Sequence, residues 1–228
     1  MSTSVSLPFA SIPVRGRVAV AAAVRGASDE LAEAVLTTVL LAGVVTGGTV
    51  LARGPLRVPE HIVRRVRRSV ADTGAYVVSS AAGLTATSRA TGGELAAFRC
   101  TVPAHLLALY AVAAARASGA CVLTRSAGST AAAEFARLGL RARGDGCSVV
   151  VEPGFVTEHG IIGHGGDVYT VLSALLIGLL RSDTQIIDTV PLDERLPNFL
   201  ESWSALLVAD EFLLPGSALV PSDYLRRP

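Results

Sequence analysis

The stretch GHGGDVYTVLSALLIGLL, residues 163–180, decides how the chain folds. A glycine-rich polar turn runs into a segment that carries no charge after Asp167. From Val168 to Leu180 the apolar run is well short of the roughly 18 to 20 residues that cross a bilayer as a helix. It reads instead as a core helix, apolar nearly all round and therefore buried on every side. Residues 29–45 and 104–117 have the same character.

The segments after these helices repeat. GGTVLARG (47–54) recurs loosely as GACVLTRS (119–126), and TQIIDT (184–189) has the same apolar strand character. A second helical segment comes next, and after the first two of these come paired short strands, TGAYVVSSAAGLTAT (73–87) and LGLRARGDGCSVVVE (138–152). Repetition at this scale fixes architecture before any local assignment does. One unit is strand, helix, strand, helix, strand, strand, and three units span about 6–90, 91–153 and 154–228. The expected fold is a single α/β (α+β) domain, inside-out and barrel-like, built from three βαβαββ units with central helices buried and sheets outside. Ser28 is placed to cap the first central helix, Pro103 suits the first turn of the second with Thr101 just before it, and Asp167 is placed to cap the third. The second helices are amphipathic: in residues 59–72, Ile62, Val63, Val66 and Val70 form one stripe while Arg64, Arg65, Arg67 and Arg68 face elsewhere. Without interleaved aromatics that basic run reads as a solvated face rather than a phosphate-binding surface.

Composition excludes several function classes. With 50% hydrophobic and 17% charged residues the chain is globular throughout, long enough for one large core or two small ones. Its 20 basic and 19 acidic residues nearly cancel, so no global field draws it to nucleic acid or an anionic membrane. Cys100, Cys121 and Cys147 lie far apart, and His159 and His164 stand without a nearby cysteine pair, so neither a disulfide framework nor a metal site is expected. The start shows no basic segment followed by a sustained apolar one. The expectation is a cytoplasmic protein with reduced thiols, no metal and no cofactor.

Together, VPAHLLALYAVAAARASG (102–119), GGDVYTVLSALLIGL (165–179) and DERLPNFLESW (193–203), in this order and spacing, resemble the enolpyruvyl (carboxyvinyl) transferases, specifically the C-terminal lobe of 5-enolpyruvylshikimate-3-phosphate synthases. LPNFLESWSALL (196–207) is similar to the family's Phe-Pro-Asp/Asn-Phe segment. The resemblance implies one lobe of an enzyme built from two, each lobe made of three βαβαββ units, with the active site in the cleft between them. The implied chemistry joins a phosphate-bearing alcohol to phosphoenolpyruvate with loss of phosphate. That reaction requires Lys and Arg clamps on anions and carboxylates for proton transfer.

The departures from this pattern bear on function. The family's Asp-His-Arg helix start stands here as Asp167, Val168 and Tyr169, so the carboxylate is kept and the cation is lost. The carboxylate after the proline of the second helix falls at Ala104 or His105. The Lys-Glu-x-Asp-Arg segment falls in LTRSAGS (123–129), where only Arg125 is charged, and the lysine before the Phe-Pro pair falls at Glu194, beside Arg195. The scaffold matches, and most of the catalytic cations do not.

The candidate residues follow from both readings. Asp167, His105 and Glu194 are the candidate catalytic groups; the positive end of a helix favours a neutral imidazole at His105, able to accept a proton. His164, Gly165 and Gly166 form a turn whose free N–H groups suit an anion. Tyr169, Arg125, Arg195 and Ser28 complete the candidate substrate-binding set, with Arg195 able to grip a carboxylate through two nitrogens. The expected function is a diverged enzyme acting by acid/base chemistry on a small polar biosynthetic intermediate, as a repurposed cyclase or isomerase. Two alternatives stand beside it: a true carboxyvinyl transferase that needs a second lobe, and a non-catalytic scaffold, which the alanine-rich STAAAEFARLG (129–139) favours. The expected partners are a small molecule and a second copy of the chain or a second lobe.

Overall fold

Apolar residues at every helical position force a helix to the centre, and three helices of this kind meet there. They are α1 (Asp29–Val45), α3 (Leu107–Ala115) and α5 (Val168–Leu180), each in contact with the other two. From Leu31 to Val45 every residue of α1 is buried, as is all of α3. In α5 only Tyr169 and Leu180 keep partial exposure. Each buried Leu, Ile or Val side chain contributes about 1.5–3 kcal/mol, set against the entropy of ordering it. The computed structural model of the chain describes residues 4–6, 15–18, 24, 26–54, 58–89, 94–125, 132–145, 147–156, 160–163, 166–181, 184–187 and 190–208.

The sheets lie outside this helical centre. The first contains β2 (Arg15–Val18), β3 (Thr49–Arg53), β4 (Tyr76–Ser80) and β5 (Gly83–Thr87) in the order β2-β3-β5-β4, and α2 (Glu60–Asp72) lies between β3 and β4 in sequence. The second repeats it with β6 (Arg99–Val102), β7 (Cys121–Arg125), β8 (Leu140–Asp145) and β9 (Ser148–Phe155) in the order β6-β7-β9-β8, with α4 (Ala132–Arg137) in the place of α2. In both sheets the first pair is parallel and the remaining pairs antiparallel. The strand and helix order read from the sequence is therefore present in both of these sheets. The sheets remain separate and do not close into a barrel.

The third sheet differs. Its strands β10 (Gly160–Gly163) and β11 (Thr184–Ile187) are parallel, as in the other units, but its third strand is β1 (Ser4–Ser6), antiparallel to β11. Ser4–Ser6 thus belongs to the third sheet although it precedes the first unit in sequence. Beyond β11 come α6 (Val190–Arg195) and α7 (Phe199–Val208), joined through Asn198, whose φ of 67° only a few side chains tolerate. Phe199 and Trp203 are fully buried with ring centroids 6.0 Å apart, and α7 packs on β2.

The amphipathic reading of α2 holds for its buried stripe, Ile62, Val63, Val66 and Val70. Ser69 adds a polar group to that stripe, accepting a 2.6 Å hydrogen bond from the buried Tyr110 hydroxyl of α3. One of the four arginines departs from the solvated face assigned to it: Arg65 reaches back to Glu33 of α1.

Candidate active site at the ends of the central helices

Each central helix follows a strand in sequence: α1 follows β2, α3 follows β6 by way of a 3₁₀ turn at Ala104–Leu106, and α5 follows β10. The repeat therefore brings three helix N-termini to one end of the molecule. Contacts among their side chains show the convergence. His105, in the 3₁₀ turn, lies against Glu33 of α1 and has its ring centroid 5.6 Å from that of Tyr169 on α5.

Glu33 is the centre of the cluster. Its side chain is wholly buried, yet the carboxylate is met on two sides. Arg65 donates from Nε to Oε1 and from Nη2 to Oε2, both at 2.5 Å, the side-on fork geometry that suits a carboxylate. His105 Nε2 is 3.3 Å from Oε2; it is itself buried, and its geometry is that of a charge contact rather than an aligned hydrogen bond. Burial alone would raise the Glu33 carboxyl, but His105 and Arg65 outweigh it and hold the group below its ordinary value. Glu33 is thus a buried anion under three positive helix ends.

Tyr169 forms the other wall. Burial pushes its phenol up, the charges of Glu30 and Asp167 push it further, and Arg195 opposes them. At neutral pH it keeps its proton and can donate a hydrogen bond. Arg195 is exposed at the end of α6.

Asp167 caps α5. Its Oδ1 accepts from Tyr169 N at 3.3 Å, while Oδ2 accepts from Thr170 N at 3.0 Å and from the Thr170 hydroxyl at 2.6 Å. Both oxygens are committed to the first turn of α5, the geometry of an N-cap. Ser28 does the same for α1, accepting from Leu31 N at 3.3 Å. Each cap fixes the entry of a helix whose next residues belong to the cluster.

The remaining candidates lie at varying distances from this group. Gly166 is exposed, with a φ of +84° that turns the chain into Asp167. Arg125 pairs with Val102 across β6 and β7, so it sits at the strand ends from which the His105 turn departs. Glu194 is exposed on α6, with no ion pair among the described residues. His164 and Gly165 lie outside the described residues.

Sequence reasoning missed Glu33 and Arg65. A signal for Glu33 was present: DELAEAVLTTVLL (29–41) holds one acidic residue inside a helix otherwise buried all round, and a charge there requires a partner. Nothing in the sequence selects Arg65 from the four arginines of α2, because the choice depends on how α2 leans on α1.

No family model matches the chain, and no curated protein does. Solved structures do. The enolpyruvyl transferase NikO from Streptomyces tendae matches at 16% identity over 76% of this chain and 42% of its own, with a TM-score of 0.57. Two structures of the EPSP synthase of Acinetobacter baumannii match at 18% identity over 78% of this chain and 44% and 45% of theirs, with TM-scores of 0.54 and 0.57. The chain thus spans less than half the length of the proteins it resembles. At such identities the likeness is one of architecture, and the central helices with their outer sheets give this chain the fold of the enolpyruvyl transferases.

Proposed function

We propose that the chain is a diverged single-lobe enzyme that carries out acid/base chemistry on a small polar intermediate at the convergent ends of its central helices. The observation that carries this reading is the Glu33–Arg65–His105 cluster: a wholly buried carboxylate, paired with an arginine and set against a histidine beside a half-buried tyrosine. Burying a carboxylate in a helix core is costly, and a core of aliphatic side chains would do as well for stability alone.

In this reading His105 moves the proton. Glu33 orients the imidazole and stabilises the imidazolium that forms, and Arg65 balances Glu33 when the imidazole is neutral. Tyr169 donates to an oxygen of the substrate, and Arg195 receives its anionic end. Asp167 and Ser28 act as positioning residues. Val168 and Tyr169 stand where the resembled family has a histidine and an arginine, and Glu194 where it has a lysine. This favours proton-transfer chemistry such as isomerisation or cyclisation over carboxyvinyl transfer. A second copy of the chain, or a separate lobe, forms the opposite wall of the cleft, as the second lobe does in the resembled family. The enzyme acts in the cytoplasm, within a biosynthetic pathway and without a cofactor.

The test is a thermal-shift screen of the chain with phosphoenolpyruvate, shikimate 3-phosphate and a panel of small hydroxy acids and oxo acids, followed by turnover assays on the stabilising compounds. A ligand at about 100 times its Kd stabilises by about 2.7 kcal/mol, enough to raise Tm by several degrees. His105→Ala and Tyr169→Phe should keep the fold and lose turnover by about 100-fold or more. Turnover at the wild-type rate in both variants contradicts the assignment. Stabilisation by phosphoenolpyruvate together with shikimate 3-phosphate, with release of phosphate, points to the transferase instead.

A further inference from the structure

A second concave surface lies on the flank of the molecule, between α2 and the outer face of the second sheet. It is a groove of about 490 Å³. Arg65, Arg68, Ser69 and Asp72 border it at i, i+3, i+4 and i+7, one face of α2. Opposite stand Arg99 and Thr101 on β6, and Val122 and Thr124 on β7; the parallel register pairs Arg99 with Val122 and Thr101 with Thr124, so all four share one face.

We propose that this groove binds a small phosphate monoester, at a place distinct from the helix-end cluster, with which it shares Arg65. Three features support it. Arg68 and Arg99 come from different elements, are both exposed, and make no ion pair among the described residues, although Asp72 shares the groove with them. Two such guanidinium groups facing one concavity match the oxygens of a phosphate, which arginine grips with paired N–H donors. Arg65 spends Nε and Nη2 on Glu33 and so retains Nη1 as a third donor at the same wall. The groove is also several times larger than a bare phosphate needs, and its remaining polar lining suits a hydroxylated carrier. Asp72 accepts from hydroxyl groups, and Thr101 and Thr124 both donate and accept. No aromatic side chain lines it to stack a nucleobase, which sets it apart from a nucleic-acid surface.

The test is isothermal titration of the whole chain with inorganic phosphate, glycerol 3-phosphate and succinate at low ionic strength. Arg68→Ala, Arg99→Ala and His105→Ala are titrated alongside, with circular dichroism to verify the fold. Glycerol 3-phosphate should bind more tightly than phosphate, and phosphate more tightly than succinate. Each arginine variant should lose about tenfold or more in affinity, while His105→Ala binds as the wild type does. Arg68 and Arg99 belong to the groove and not to the Glu33–Arg65–His105 cluster, so failure in their variants leaves the proposed acid/base function intact, and loss of turnover in His105→Ala leaves the groove intact. The proposal is overturned if no phosphate compound binds, if succinate binds as well as glycerol 3-phosphate, or if affinity survives in both arginine variants. It is likewise overturned if His105→Ala removes the binding, which would place the ligand at the helix ends.

Discussion

At the scale of single residues, the proposed chemistry turns on Glu33, a charge that the core would otherwise exclude. The folded state holds the Glu33 carboxyl below its ordinary value of 4.5, so its ionised form favours folding. That contribution is fully present above the unfolded value and disappears as pH falls through the folded one. Glu33→Gln should therefore cost about 1–3 kcal/mol at pH 7, and urea titrations should show the gap to wild type narrowing below about pH 4.5. A gap that stays constant down to about pH 3 contradicts the linkage. Asp167→Ala should cost about 1 kcal/mol in the same assay, as the loss of an N-cap does, with α5 otherwise intact. Asp167 was legible in the sequence as both cap and candidate acid, and the three hydrogen bonds to its oxygens bear out the cap. Glu33 was visible as an anomaly in α1, whereas its pairing with Arg65 and His105 joins residues from three elements that no local pattern connects.

At the scale of elements, much of the architecture could be read because it follows from periodicity. Helices apolar on all sides must be central, and α1, α3 and α5 are. The amphipathic stripe of α2 fixes its buried face, and the paired strands after α2 and α4 follow from alternation and glycine placement. The start of the second central helix was harder: Pro103 cannot donate, and the chain enters α3 through a 3₁₀ turn that leaves His105 facing α1 and α5. Glycine matters most at Gly83, whose φ is +136° and where an added Cβ would lie 2.0 Å from the carbonyl oxygen of Ala52 on β3. Gly83→Ala must move β5 away from β3 or abandon that conformation, and should cost more than about 2 kcal/mol. Equilibrium unfolding checks this; a loss below about 0.5 kcal/mol, the size of an ordinary surface substitution, contradicts the close approach.

At the scale of the whole molecule, the repeat explains why the proposed catalytic centre lies at one end: the same unit plan, a central helix following a strand, brings three helix N-termini together. What the unit plan could not supply was the closure of the third sheet by Ser4–Ser6, because pairing between the two ends of a chain leaves no periodic trace in the sequence. Removing residues 1–6 should speed hydrogen exchange at Gln185–Ile187 while leaving β3 and β7 protected; unchanged protection at β11 contradicts the pairing. The most direct test of function is backbone chemical-shift mapping of the isotope-labelled chain, titrated with the compound that stabilises it most in the ligand screen. Perturbations should concentrate at residues 28–33, 104–107 and 166–170 and disappear in His105→Ala. Shifts confined to other surfaces, or an undiminished response in that variant, would contradict a catalytic centre at the helix ends.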